Sequence, residues 1–179
     1  MAEEKETTCW QDEAKDWIIS LLIAVMLAFL IRTFIVEPYM VEGPSMRPTL
    51  SNHERLLVNK FLYYFSEPQK GEIIVFRYPR DPSRDFIKRV IATGGDTIEI
   101  QDGKVFVNGE LKNEPYILDK TRGSYQKAVV PKGRVFVMGD NRNNSEDSRF
   151  PDVGFVPFNL IKGKAMMVFW PFSEWKSLP

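Results

Sequence analysis

Two side chains in this sequence have types and settings that could do chemistry together: a serine pinned between prolines and a lysine set among apolar residues. Ser45 lies in Glu42-Gly43-Pro44-Ser45-Met46-Arg47-Pro48-Thr49-Leu50. Pro44 and Pro48 lack an amide donor and hold φ near about −65°. Each pushes the residue before it, Gly43 or Arg47, toward extended geometry. The expectation is a stiff, mostly extended backbone that offers the hydroxyl at one angle. A proline-rich loop with a solvated serine is the alternative that this stretch alone allows. Lys88 lies in Phe86-Ile87-Lys88-Arg89-Val90-Ile91-Ala92. Strand side chains alternate in direction, so Phe86, Lys88 and Val90 share one face and Ile87, Arg89 and Ile91 the other. Each face carries one cation among apolar neighbours, so at least one cation must be partly buried. Arginine keeps its proton, whereas lysine can lose it. Desolvation lowers a lysine pKa, and a neutral amine beside a serine hydroxyl is a general base. The alternative is a lysine whose head reaches water at a strand edge.

The composition removes other chemistries. The chain of 179 residues holds one histidine, His53, and one cysteine, Cys9. An intrachain disulfide is therefore impossible, and no Cys/His cluster exists to hold a metal. His53 sits in the polar stretch Ser51-Asn52-His53-Glu54-Arg55 and reads as a turn residue. A serine nucleophile here needs a base other than histidine. No cofactor and no metal are expected. Lys+Arg and Asp+Glu balance at 24 each, so no basic excess points to nucleic acid.

The elements that must position Ser45 and Lys88 follow from hydrophobic patterning. Residues 1–16 are polar and acidic and are expected to be a short disordered tail. From Trp17 to Val36 the chain is apolar on all sides, with Ser20, Arg32 and Thr33 the exceptions. Trp17 to Val36 spans about 30 Å as a helix, the thickness of a hydrocarbon core. The acidic start and the lack of a small-x-small site argue against a cleaved leader. A buried core helix is expected to be amphipathic, and a run apolar on all sides argues against that reading. A transmembrane anchor over 17–36 is the reading, with the lipid bilayer as partner. Lys5 and Lys15 before it and Arg32 and Arg47 after it leave orientation undecided by charge.

Residues 37–179 read as one β-rich domain. Strands are expected at Arg55–Val58, Ile73–Phe76, Phe86–Ala92, Thr97–Ile100, Val105–Val107, Arg134–Met138 and Lys164–Trp170. Asp102-Gly103 and Asn108-Gly109 predict two-residue hairpin turns. Residues 111–130 show no period, and 140–149 read as a polar loop. The aromatic run Phe61-Leu62-Tyr63-Tyr64-Phe65 is either core or an exposed patch lying on lipid.

Four segments in this order resemble bacterial type I signal peptidases. Ser45-Met46-Arg47-Pro48-Thr49-Leu50 is similar to the family's SMxPTL box, and Gly71-Glu72-Ile73-Ile74-Val75-Phe76 to its GDIVVF-like strand. Lys88-Arg89-Val90-Ile91 followed by Gly95-Asp96 resembles its KRVxGxPGD box, with Gly94 in place of the usual proline. Gly139-Asp140-Asn141-Arg142-Asn143-Asn144-Ser145-Glu146-Asp147-Ser148-Arg149 resembles its GDNRxNSxDSR box almost letter for letter. The resemblance covers residues 17–170. It implies a mainly β fold, a coiled antiparallel sheet behind one N-terminal transmembrane helix. It implies a serine endopeptidase that removes signal peptides from exported preproteins after a small-x-small motif. Ser45 would be the nucleophile and Lys88 the general base. Ser145 would hydrogen-bond the Lys88 amine, while Asp147 with Arg149 and Arg89 with Asp140 would form ion pairs fixing that loop. Val41, Met46, Leu50, Phe86 and Ile87 match positions that line shallow substrate pockets. Many members carry a serine where this chain has Gly43, so the oxyanion would rest on backbone amides, chiefly that of Ser45. Glycine there also resembles the short, single-span Gram-positive-like subtype.

The resemblance further implies a cytoplasmic 1–16 tail, an extracytoplasmic catalytic domain, and an association with the protein-export machinery. The aromatics Phe34, Phe61–Phe65 and Trp170–Phe172 would hold the site at the membrane surface. Two rival readings are a self-cleaving repressor-like Ser-Lys protease and a non-enzymatic anchored β domain. The separation of Ser45 and Lys88 in space discriminates against or for the second.

Overall fold

The structure, a computed structural model, describes residues 3–179. Two compact units are present, one ending at Val36 and one running Glu37–Pro179. The first holds helix α1 (Glu3–Leu30), continued by one π-helical turn, Ile31–Ile35. Residues 3–16 are thus helical, where the polar composition suggested a disordered tail. Glu, Lys, Gln and Ala are good helix formers, and extending an existing helix avoids the cost of a nucleus. Between Glu13 and Ile35 this helix is long and apolar enough to cross a membrane. Its large apolar side chains, Trp17 and Phe29 among them, are exposed.

Antiparallel strands follow. In chain order they are β1 (Val36–Met40), β2 (Arg55–Asn59), β3 (Ile73–Tyr78), β4 (Asp81–Thr93), β5 (Thr97–Gln101) and β6 (Lys104–Val107). Then come β7 (Glu110–Leu111), β8 (Tyr125–Val129), β9 (Arg134–Met138), β10 (Val156–Pro157), β11 (Ile161–Trp170) and β12 (Lys176–Ser177). The larger sheet has the order β1-β2-β11-β3-β4-β9-β10, with β12 also on β11; the smaller has the order β7-β6-β5-β8. Strand β4 is the spine of the site. Its first half pairs with β3, Phe86 opposite Phe76 and Lys88 opposite Ile74. Its second half also pairs with β9, beginning at Arg89 opposite Met138. Ahead of Arg89, the edge of β4 turned away from β3 therefore has no strand on it among the described residues.

Hairpin chemistry behaves as read. Asp102 and Gly103 have φ of 50° and 73°, Asn108 and Gly109 of 56° and 81°, the signs that two-residue turns between twisted strands require. Three expectations change. Strand β4 begins at Asp81 and takes in Pro82, which is tolerated where a strand edge needs no donor. Strand β8 lies inside 111–130; its five residues Tyr-Gln-Lys-Ala-Val are mostly exposed at a sheet edge, so burial imposes no period on them. The Phe61–Phe65 run is a short 3-10 turn centred on Leu62–Tyr64, with Phe61, Tyr64 and Phe65 exposed rather than in the core.

The core consists of three apolar clusters. The one behind Ser45 holds Val41, Met46, Leu50, Leu56, Val58, Ile73, Val75, Ala165 and Val168. At about 1.5–3 kcal/mol for each fully buried large apolar side chain, Met46 and Leu50 anchor the Ser45 segment far more firmly than its prolines do.

Candidate active site

Ser45 does not sit on extended backbone. Residues 43–50 form consecutive turns, with the Arg47 amide donating to the Pro44 carbonyl and the Leu50 amide to the Met46 carbonyl. Gly43 has φ +86° rather than an extended value. That region costs an L-residue about 1–2 kcal/mol, so serine at position 43 would be strained even though a Cβ there would meet no atom. The rigidity expected of the serine is present, but it comes from buried neighbours. Val41, Met46 and Leu50 are held in the core on either side of it.

The loop after β9 closes over this turn and clamps it. The Asn141 amide donates to the Ser45 carbonyl at 3.0 Å, and the Asn141 side chain donates to the Pro44 carbonyl at 3.2 Å. Gly139 allows that approach, because a Cβ there would collide with the Ser45 carbonyl and the Ser145 side chain.

Lys88 Nζ lies 2.9 Å from Ser45 Oγ. Its other hydrogen bond is to the Ile87 carbonyl at 3.0 Å. The Phe86 ring, on the same strand face, has its centroid 5.0 Å from the amine. Lys88 is 4% exposed and Ser45 half-buried. No carboxylate among the described residues pairs with Lys88. Burial pushes its pKa down to about 8, against the pull of Asp147, Glu146 and Asp140, which favour the charged form. The two atoms whose separation would have excluded joint chemistry are in contact.

The pattern of β4 required one buried cation; the structure buries both. Arg89, also 4% exposed, faces the other way. It donates to both carboxylate oxygens of Asp140, at 2.8 and 2.7 Å, and to the Gly71 carbonyl at 2.8 Å. The Tyr116 ring lies 4.0 Å from the guanidinium. Thr49 Oγ1 donates to Asp140 Oδ2 at 2.5 Å, which ties the Ser45 segment to the same pair. Such bidentate charge-assisted bonds hold geometry as well as charge.

The 139–149 loop is a buried polar cage rather than a solvated turn. Arg149 donates to both oxygens of Asp147, at 2.7 and 2.8 Å, and to the Arg142 carbonyl at 2.6 Å. Arg142 is 1% exposed and donates bidentately to Glu114, at 2.7 and 2.6 Å, and to Thr121 at 3.1 Å. The bond expected from Ser145 to the Lys88 amine is not made. Ser145 Oγ donates to Asp147 Oδ2 at 2.8 Å, beside the Gly139 amide at 3.0 Å on the same oxygen. The Ser145 proton is committed to the carboxylate, the stronger acceptor, and is not offered to the Lys88 amine.

A groove of about 510 Å³ opens over Ser45 and Lys88. Tyr39, Met40, Val41 and Glu42 line one side and Ser83 to Ile87 the other, with Met46 and Glu146 completing it. Val41, Met46, Phe86 and Ile87 thus lie where the pocket positions were expected. Leu50 does not: it is fully buried in the core behind the groove. Gly43 is absent from the lining, and its amide is taken by Asn52 Oδ1 at 2.8 Å. The Ser45 amide donates to no group among the described residues. His53 is exposed at φ 67°, in a turn and away from this groove's lining.

Sequence reasoning missed Thr49, Glu114, Tyr116 and Thr121 as supports. Glu114, Tyr116 and Thr121 fall in the stretch without period, and only the spare charge of Arg142 hinted that a carboxylate must come from elsewhere.

Comparison with known proteins finds relatives along most of the chain. The curated signal peptidase I P of Bacillus subtilis subsp. natto is 43% identical over 169 residues, covering 89% of this chain and 90% of that protein. The probable signal peptidase I-1 of Synechocystis is 44% identical over 171 residues, covering 92% of this chain and 86% of that protein. In structure, the signal peptidase I of Enterococcus faecalis V583 superposes with a TM-score of 0.51 at 29% identity, over 56% of this chain and 98% of that one. The family described as signal peptidase, peptidase S26, matches residues 14–170, and this chain belongs to that family.

Proposed function

We propose that this peptidase cleaves signal peptides from exported preproteins with Ser45 as nucleophile and Lys88 as general base. The observation that carries the assignment is the 2.9 Å contact between Ser45 Oγ and a buried Lys88 amine that no carboxylate neutralises. In its neutral form the Nζ lone pair takes the Ser45 proton as Oγ attacks the scissile carbonyl carbon. The resulting ammonium gives that proton to the departing amine, leaving an ester on Ser45. The neutral amine then takes a proton from water, whose oxygen attacks the ester; the Ser45 Oγ–acyl bond breaks, the ammonium returns the proton to Oγ, and the acyl part leaves as a carboxylic acid. The uncommitted Ser45 amide is the donor available to the oxyanion. Ser145 acts one step removed, steadying Asp147 beside the lysine. The ion pairs Asp147–Arg149 and Arg89–Asp140 hold the loop that clamps Ser45.

The substrate lies extended along the open edge of β4 ahead of Arg89. Main-chain bonds to a sheet edge give affinity, and alternate side chains enter pockets. Buried or half-buried walls of Val41, Met46, Phe86 and Ile87 leave shallow space suited to small residues.

The helix Glu13–Ile35 anchors the enzyme in a single pass, with the N-terminus cytoplasmic and residues 37–179 extracytoplasmic. That is the face on which signal peptides of exported chains emerge, beside the export machinery. Exposed Phe61, Tyr64 and Phe65 lie on one short turn and Phe172 on another, Phe172–Glu174; both turns pack on β11, whose last residue is the exposed Trp170. They rest on the lipid surface.

The test is cleavage of a preprotein by the full-length protein and by Ser45→Ala and Lys88→Ala. Each substitution is expected to reduce kcat/KM by about 10³-fold or more. Full activity retained in either variant overturns the mechanism.

A further inference from the structure

We propose that Glu146, held by Tyr78 at the wall of the groove, is a positioning residue whose charge sets the proton affinity of Lys88 and hence the pH at which this peptidase becomes active. The inference rests on Lys88 being the general base.

Glu146 and Lys88 line the same groove. Glu146 is exposed, and a side chain of its length could point anywhere into solvent. It does not, because Tyr78 on β3 donates its hydroxyl to Glu146 Oε1 at 2.7 Å. Tyr78 is itself buried and stacked on Phe86, ring centroids 4.5 Å apart. The hydrogen bond to Glu146 raises the phenol pKa, so Tyr78 stays a donor through the working range. Phe86 is the residue whose ring also lies against the Lys88 amine. The carboxylate is therefore mounted on the same aromatic pair that walls the lysine.

The charged groups around Lys88 differ in what they can still contribute. Asp140 and Asp147, on the 139–149 loop, are each neutralised by a bidentate arginine. Asp85, on β4, pairs with Lys162. Arg84 on β4 lies over the Tyr78 and Phe86 rings. Glu42 lines the β1 side of the groove. The face of β3 opposite Lys88 presents Ile74, which carries no charge. Glu146 forms no ion pair among the described residues; the Arg80 guanidinium, itself paired with Asp152, interacts with it, so what acts on Lys88 is a negative charge only partly offset. It favours the ammonium form and holds the base partly out of use at neutral pH.

The expected sign is unusual: removing the charge makes the enzyme more active in acid. The experiment measures preprotein cleavage by the full-length protein against pH for wild type, Glu146→Gln and Tyr78→Phe. Each curve is normalised to its own plateau. Glu146→Gln is expected to move the midpoint of the rising limb down by about half a pH unit, raising the normalised rate at pH 6.5 about three-fold. Tyr78→Phe should move it the same way by less, because the carboxylate is released rather than removed. The difference between wild type and Glu146→Gln should shrink in high salt. A midpoint that stays put or rises in Glu146→Gln overturns the proposal. A wild-type curve with no rising limb, or an active Lys88→Ala variant, overturns instead the assignment of Lys88 as base.

Discussion

Lys88 and Arg89 are neighbours on one strand, equally buried, and solvated by the protein in opposite ways. Arg89 meets a carboxylate fork, a backbone carbonyl and an aromatic face. Lys88 meets a serine hydroxyl, one carbonyl and an aromatic ring, with no carboxylate of its own. The protein replaces the water that Arg89 lost and withholds that replacement from Lys88. The first arrangement stabilises a permanent cation and fixes a loop. The second favours a neutral amine, which is what base chemistry requires. Burial alone therefore does not mark a catalytic lysine; burial without a counter-charge does.

Three measurements would break or sharpen that contrast. The largest effect belongs to Lys88→Arg. Arginine preserves charge and hydrogen-bonding capacity but cannot give up its proton. Preprotein cleavage should fall as far as in Lys88→Ala, about 10³-fold or more. Substantial activity in Lys88→Arg would mean that the cation, and not the neutral amine, matters.

Next is Arg89→Met. It leaves Asp140 buried without its partner, a change that typically costs about 3–5 kcal/mol. Denaturant unfolding should show that loss, and activity at low temperature should fall less than stability does. An unchanged midpoint would show that Asp140 finds another donor, with Thr49 the nearest candidate.

The smallest is Lys88→Met, and its sign is opposite. The folded pKa of about 8 lies below the ordinary lysine value of 10.5. Below about pH 8 both folded and unfolded chains carry the proton, and the full penalty for a buried ammonium is present. Between about 8 and 10.5 the unfolded chain binds more protons, so wild-type stability rises with pH and the penalty disappears. Lys88→Met should thus be more stable than wild type by about 3 kcal/mol at pH 7. The difference should vanish by about pH 10.5. A variant that is less stable at pH 7 would refute the claim that this lysine is held at a cost.

Much of this contrast was legible in the sequence, and the reason is local. Alternation along β4 put Lys88 and Arg89 on opposite faces, and the apolar residues beside them forced burial. The Asp-Gly and Asn-Gly hairpins were readable because backbone sign at two adjacent residues is a local property. The stretches that misled are those whose state is decided elsewhere. Pro44 and Pro48 suggested extended backbone, but Met46 and Leu50 draw the chain into turns to reach the core. The aromatic run Phe61 to Phe65 left core and exposed patch both open, and the structure exposes Phe61, Tyr64 and Phe65 on a short turn.

What the sequence by itself determined was the inventory: one serine on a constrained segment, two adjacent cations of which at least one could not avoid burial, almost no histidine to compete, and an apolar helix long enough to span a bilayer. Only the tertiary structure decided the partners. Asp140 went to Arg89 and Glu114 to Arg142, Ser145 turned to Asp147, and Lys88 was left to Ser45. Those assignments join residues far apart in the chain, and each carboxylate or hydroxyl satisfies whichever donor or acceptor the packed sheet brings within hydrogen-bonding distance.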